Sequence, residues 1–260
     1  MKKIFYIYCL LFSSLCFSQK GFIKYGYFHA LTIGNAKAPE SQSFLVFNKQ
    51  LSYYVTAKES LEKGIDRLEQ KTYTNDEGGG SIYNGLKMSE EGDQVVNSLT
   101  KKTMWSNLLY RRQVYTKEPT PIIAWKLEKE TKEIGKFTCK KATASFRGRN
   151  YIAWYSPDIP LPYGPWKLQG LPGLILEAYD TNKYVYWYSQ SIEYPSNSKE
   201  DPKYLSISKN EKFLTFEEFK QFQNEEIKRL EEKTKIVKKN YPDVEFTNNF
   251  NICDMFVECK

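Results

Sequence analysis

One histidine in 260 residues, His29, sets the first limit on the chemistry open to this chain. Any Ser-His-Asp or Cys-His arrangement must use that residue, and no nucleophile-elbow pattern accompanies it. His29 closes the run Tyr27-Phe28-His29 at the end of an expected first strand, where a histidine is mostly a surface or a satisfied core residue. Acid–base work by two carboxylates has one candidate pair, Asp158 and Glu177, on the two flanks of a proline-rich stretch. These are the residues a hydrolase would use, given a suitable separation and a raised pKa on one partner. Metal chemistry finds no ligand set. Cys139, Cys253 and Cys259, with no Cys-x-x-Cys pair and one histidine, match no common zinc site, and no metal or cofactor is expected. The triplet Gly78-Gly79-Gly80 lacks the lysine and Ser/Thr of a phosphate-cradling loop and reads as a flexible surface loop.

Binding chemistry is better supplied. Trp125, Trp154, Trp166 and Trp187, with 20 tyrosines, can line an apolar ligand or stack on sugars, although aromatic residues in strands mostly build core. Trp154 and Trp166 stand on either side of the proline-rich stretch, and with Tyr155, Asp158, Pro160, Gly164 and Pro165 they form the candidate binding set. Nucleic acid is not an expected partner: Arg111-Arg112, Lys140-Lys141 and Arg147-Gly148-Arg149 are scattered basic clusters that solvated faces explain.

The elements that must position these residues read mainly as strands. A 41% hydrophobic, 16% aromatic composition suffices for a packed core, and a mean hydropathy of −0.60 with no long apolar run excludes a membrane-spanning helix. Residues 1–18 read as a secretory signal peptide: Lys2-Lys3, then the apolar run Ile4 to Phe12, then Cys16 and Ser18 at the cleavage-proximal positions. Leu15 stands where a lipoprotein signal wants a small residue, so a lipid anchor is not expected. The remaining cysteines allow one disulfide and one leftover thiol. Cys253 can pair with Cys259 if a turn forms between them, and Cys139 to either one is the alternative.

Gly21 to Phe28 and Ser43 to Val55, the latter broken by a turn at Asn48-Lys49, are the first expected strands. Thr56 and Glu59 have the spacing of a capping box, opening a short helix through Leu61, Ile65 and Leu68. Further strands are expected at Gln94 to Leu99, Leu108 to Tyr115, Ile122 to Leu127, Phe137 to Phe146, Tyr151 to Tyr155, Leu174 to Tyr179 and Tyr184 to Ile192. The apolar phase slips across Lys140-Lys141, which predicts a β-bulge. A second capping box, Thr215 and Glu218, opens a helix over about 216–239. Its apolar stripe of Phe216, Phe219, Phe222, Ile227 and Leu230 should pack on the sheet.

The proline-rich stretch is the most distinctive segment. Pro157, Pro160, Pro162, Pro165 and Pro172 fix φ and remove donors, so it is a rigid loop leading into the strand that starts at Leu174. Gly170-Leu171-Pro172-Gly173-Leu174-Ile175 resembles the signature of the GLPGLI family of Bacteroidetes envelope proteins. Ala153-Trp154-Tyr155, Ile159-Pro160, Gly164-Pro165 and Cys139-x-Lys141-Ala142 are similar to the same pattern, over about residues 120 to 180. The resemblance implies an exported β-rich protein and assigns no activity or catalytic residue. On physical grounds the glycines permit close approach, Pro172 fixes the turn, and the motif orders one rim of the sheet.

The expected fold is therefore α+β and mainly β: a single domain over residues 19–260, with a curved antiparallel sheet or half-open barrel packed with helices. By analogy it is similar to lipoprotein carriers such as LolA. The expected function is that of a protein exported through the Sec pathway to the periplasm or the outer-membrane surface. It would carry an apolar ligand, lipid or peptide, or serve as an accessory partner of an outer-membrane transport system. A hydrolase using Asp158 and Glu177 is the alternative.

Overall fold

Aromatic and β-branched residues spaced two apart dominate the first strands, and that period sends alternate side chains to opposite faces of a pleated sheet. In the computed structural model they do so: Ile23, Tyr25 and Tyr27 join one buried cluster, whereas Phe22 joins another with Phe44 and Val46. The structure describes residues 20–29, 40–62, 71–74, 80–83, 88–205, 207, 211–240 and 252–259. The expected signal peptide, the glycine loop before Gly80, and Ile65 and Leu68 lie outside the described residues.

The strands are β1 (Gly21–His29), β2 (Glu40–Phe47), β3 (Leu51–Thr56), β4 (Lys71–Thr74), β5 (Gly80–Tyr83), β6 (Asp93–Ser98), β7 (Thr103–Leu109), β8 (Gln113–Pro119), β9 (Lys126–Ile134), β10 (Phe137–Phe146), β11 (Arg149–Ser156), β12 (Leu174–Asp180), β13 (Val185–Glu193) and β14 (Phe213–Leu214). Twelve of them form one large open sheet in the order β14-β8-β7-β6-β3-β2-β1-β13-β12-β11-β10-β9, and β4 pairs with β5 separately. Every pairing in the large sheet is antiparallel except β14 with β8. The larger buried cluster unites residues from β1, β3, β6, β7 and β10 to β13, so the sheet curves and its inner face closes on a common core.

The phase slip at Lys140-Lys141 is a register shift against β9, between Lys140 and Ala142. Three other expectations are corrected. Leu108 to Tyr115 is the end of β7, a turn and the start of β8, because Tyr110 to Arg112 carry the turn and the aromatic signal runs through it. Residues 120–125 are irregular, and the strand instead covers Lys126–Ile134, whose charged sequence hides its period. Thr56 is the last residue of β3 and its hydroxyl donates to the Gln42 carbonyl at 3.3 Å. A short 3-10 turn, Glu59–Leu61, follows without a side-chain cap.

Helix α1 (Phe216–Asn240) starts at the expected capping box: Thr215 N–H donates to the Glu218 carboxylate at 2.7 Å and Glu218 N–H to the Thr215 hydroxyl at 3.2 Å. Its stripe covers less than expected. Phe219 and Gln223 are buried near β8, β14 and the short helix α2 (Ile252–Met255), whereas Ile236 and Val237 are exposed. The helix therefore caps one end of the sheet instead of lying across it.

Candidate functional site

β11 and β12 are neighbours, yet a tight hairpin does not join them; residues 157–173 fold back beneath the inner face. Ile159, Leu161, Tyr163, Leu168 and Leu171 are buried there. With five prolines the loop has few donors to satisfy, and it satisfies carbonyls locally: Leu161 N–H to Ile159, Tyr163 N–H to Leu161, and Gly170 N–H to Pro162. It is pinned to the sheet by Leu174 N–H to the Ile159 carbonyl at 3.0 Å and Ile175 N–H to that of Tyr163 at 2.9 Å. The hexapeptide's glycines have distinct reasons. A side chain on Gly173 would run into the Ser156 carbonyl, whereas Gly170 has φ +93°, in the left-handed region that disfavours a Cβ.

A second irregular segment closes the opposite side. Cys253 and Cys259 form a disulfide with Cα atoms 4.9 Å apart, the turn between them being α2 and the residues after it. Cys139 is a free, buried thiol in β10, and burial pushes it up to about 12. Arg149 holds the disulfide segment by donating to the carbonyls of Val257 at 3.0 Å, Phe256 at 3.1 Å and Cys253, while pairing with Asp180 at 3.2 Å. Glu258 joins a buried ion cluster in which Lys167 lies 2.6 Å from Glu258 and 3.1 Å from Glu118, and Arg147 contacts both carboxylates. Thus Lys167, in the proline-rich loop, ties that loop to the disulfide segment.

Between the sheet, the loop and the disulfide segment lies a chamber of about 270 Å³. Its aromatic wall includes Tyr27, Tyr54, Tyr110, Trp166 and Phe256. Tyr27, Trp187 and Trp166 stack in series, with centroids 5.2 Å and 6.2 Å apart and planes within 9°. Trp187 donates its indole N–H to the Tyr54 hydroxyl at 2.8 Å, which fixes two members of the wall. Trp166 itself has φ +52°, an uncommon backbone for a bulky residue, held by the packing around it.

Two titratable groups enter the chamber from the sheet. Asp93, the first residue of β6, accepts the Leu109 N–H at 2.7 Å, and burial outweighs that bond and pushes its carboxyl up to about 7. His29, the last residue of β1, is pushed down to about 4 by burial and then by the nearby Arg149 charge, so it is a neutral imidazole at physiological pH. Proximity to aromatic strands and to the chain's lone histidine marked β1; nothing in the local sequence of Asp93 distinguished it.

The candidate residues from the sequence divide. Trp166 lines the chamber and Gly164 and Pro165 are buried beside it, where a Cβ on Gly164 would lie 2.8 Å from the Ile175 side chain and the Leu168 carbonyl. Trp154 lies elsewhere. Its cross-strand neighbours are Lys141 and Glu177, and its ring sits 4.5 Å from the Lys132 ammonium. Tyr155 is buried, Pro160 is exposed, and neither lines the chamber. Asp158 is exposed, and Glu177 is paired with Lys132 at 2.7 Å. Among the described residues no cluster of His, Cys, Asp and Glu has the arrangement of a metal site, and no helix is long and apolar enough to cross a membrane.

A family model described as a protein of unknown function, Porph_ging, matches residues 147–177, which contain the loop and the hexapeptide. Among solved structures the chain is similar to "Structure of PNGF-II in P21 space group", with 15% identity and a TM-score of 0.50 over 78% of this chain and 33% of that one. The C2 form of PNGF-II gives 13% identity and a TM-score of 0.48 over 76% and 31%. This chain therefore spans about a third of PNGF-II, and the likeness is one of fold. No curated protein matches.

Proposed function

We propose that this chain is an exported binding protein that shelters a small, partly apolar molecule in the chamber beneath the proline-rich loop. The observation that carries the reading is an aromatic lining of Tyr27, Tyr54, Tyr110, Trp166 and Phe256, in which Tyr27 and Trp166 each stack on the buried Trp187, around a 270 Å³ space into which a few polar groups project. That combination of apolar walls and sparse polar groups is the usual make-up of a ligand pocket, here near the lower end of the usual range of about 300–1,000 Å³. The size favours a small molecule over a whole lipid or a peptide, and so narrows the carrier reading. The half-open barrels of lipoprotein carriers remain the architectural analogy: an open sheet curled around an inserted segment.

The disulfide supports export to an oxidising compartment, the periplasm or the outer surface. The accessory-partner reading has less support, because the edge strand β9 carries Lys126, Lys129, Lys132 and Glu128, Glu130, Glu133, and charge on an edge discourages strand addition.

Native mass spectrometry of the chain purified from its own envelope fraction tests the proposal. A co-purifying small molecule, retained by Trp154→Phe and lost by Trp166→Ala, is the expected result. Retention of a phospholipid-sized mass, or equal loss in both variants, would overturn it.

A further inference from the structure

The chamber's charges are unevenly settled. Lys167 and Glu258, both on its lining, are paired with each other at 2.6 Å and with Glu118 and Arg147 behind them. That cluster holds two cations and two carboxylates and needs nothing from a ligand. Asp93 is different. It accepts the Leu109 N–H at 2.7 Å, and among the described residues no lysine or arginine pairs with it. A half-buried carboxylate with one backbone hydrogen bond and no counter-ion among the described residues is under-compensated, and whatever enters the chamber meets it.

The surroundings of Asp93 specify what would compensate it. Tyr54 stands on the neighbouring strand β3, where its cross-strand partner is Val95, two residues from Asp93 and on the same face. Tyr110 follows Leu109 directly, and Trp166 closes the far side. Aromatic faces attract cations and repel anions, an effect that strengthens away from water. A carboxylate among aromatic rings is therefore a cation-binding arrangement, and the lining rings of Tyr27 and Trp166, each held by stacking on the buried Trp187, favour a flat apolar body behind the charge.

We infer that the chamber selects a small organic cation, an ammonium or amidinium carried on a flat apolar body, with Asp93 as its counter-ion and the aromatic rings as its walls. The inference rests on the proposal that the chamber is a ligand site, and it names the ligand class. An elevated Asp93 pKa is what an unpaired carboxylate there would show, and an incoming cation would draw it down again.

The test is isothermal titration calorimetry of the full mature chain with three isosteric probes: benzylammonium, benzyl alcohol and benzoate. Benzylammonium should bind at least about tenfold more tightly than either of the others, and Asp93→Asn should erase that preference while leaving benzyl alcohol unchanged. Trp166→Ala should weaken all three. If benzyl alcohol or benzoate matches benzylammonium, the chamber is a ligand site without a charge preference, and the cation inference falls while the binding reading stands. If none of the three binds, both fall.

Should Asp93→Asn fail to fold, the wild-type pH profile serves instead. Facing Asp93 across the chamber are His29 and Tyr27 from β1, Tyr54 from β3, Tyr110 after β7, Lys167 from the loop and Glu258 from the disulfide segment. His29 stays neutral above about 5, and burial holds Tyr54 and Tyr110 above their ordinary range, so Asp93 is the group that changes charge near pH 7. Benzylammonium affinity should rise severalfold between pH 5.5 and 8, and a flat profile overturns the inference.

Discussion

Trp154 precedes the proline-rich loop and Trp166 lies within it, yet the base of that loop is sealed and its far side opens on a chamber. At the sealed end Trp154 is paired on both sides within the β10–β11–β12 ladder, beside a register shift between Trp154 and Tyr155, and is covered by Lys132, which Glu177 neutralises at 2.7 Å. At the open end Trp166 sits in a left-handed backbone conformation, stacked on Trp187, with two irregular segments meeting around it. Regular pairing leaves no room between layers, whereas segments without ladder partners must be tied by side chains and leave gaps where the ties do not fill. The difference teaches that the chamber in this fold opens where irregular segments meet the inner face of the sheet, not between paired strands.

The largest effect should come from cutting the tie at the open end. Lys167 is 2% exposed and its ammonium contacts Glu118 and Glu258, so Lys167→Met strands two buried carboxylates with only Arg147 between them. The expected loss is about 3–5 kcal/mol in urea unfolding, because removing one partner of a buried ionic group leaves uncompensated charge. Lys132→Met at the sealed end, where Lys132 is half-exposed, should cost less than about 1 kcal/mol. Similar losses at the two sites would erase the comparison.

How far this was readable from the chain follows the same division. Strands announce themselves when aromatic and β-branched residues alternate, as in β1, β3 and β10, and even the bulge in β10 shows as a slip of phase. β9 does not, because an edge strand exposed to water is written in lysine and glutamate and carries no apolar period. The loop was legible as irregular, since prolines and glycines constrain locally, and of the candidates Trp166 is the one that lines the chamber. The Cys253–Cys259 disulfide was one of two expected pairings, whereas Asp93 and the ion cluster were not legible, because Glu118, Arg147, Lys167 and Glu258 are brought together by strand order and loop closure, which no local pattern encodes.

The glycines of the hexapeptide sharpen the contrast at a smaller scale. Gly173→Ala presses a methyl into the Ser156 carbonyl at the sealed end, where both backbones are fixed by ladder bonds, and should cost about 2–3 kcal/mol. Gly170→Ala lies toward the open end, its Cβ meeting nothing nearer than the Trp125 indole nitrogen at 4.0 Å. It should cost about 1–2 kcal/mol from the left-handed φ alone. Thermal unfolding of the two variants compares them directly, and a larger loss at Gly170 would mean that the loop is gripped at its open end.

The most gradual effect is one of pH, and it separates the chamber from the rest of the fold. Between an ordinary 3.8 and a folded value of about 7, Asp93 keeps a proton that the unfolded chain releases, so its contribution to stability falls as pH rises through that window. His29 works in the opposite sense: between about 4 and 6.5 the unfolded chain takes up a proton that the folded one refuses, so stability rises with pH there. From pH 4 to 6.5 the two slopes oppose, and from 6.5 to 7 that of Asp93 stands alone. Asp93→Asn preserves an oxygen for the Leu109 N–H and removes one slope. Its stability relative to the parent should therefore climb with pH by at most about 1.4 kcal/mol per unit, and level off above 7. Urea midpoints at half-unit steps from pH 4 to 8 measure that difference, in which titrations common to both proteins cancel. A difference that does not change with pH would mean that Asp93 is solvated like any surface carboxylate, and that the open end of the loop is no more a chamber than the sealed one.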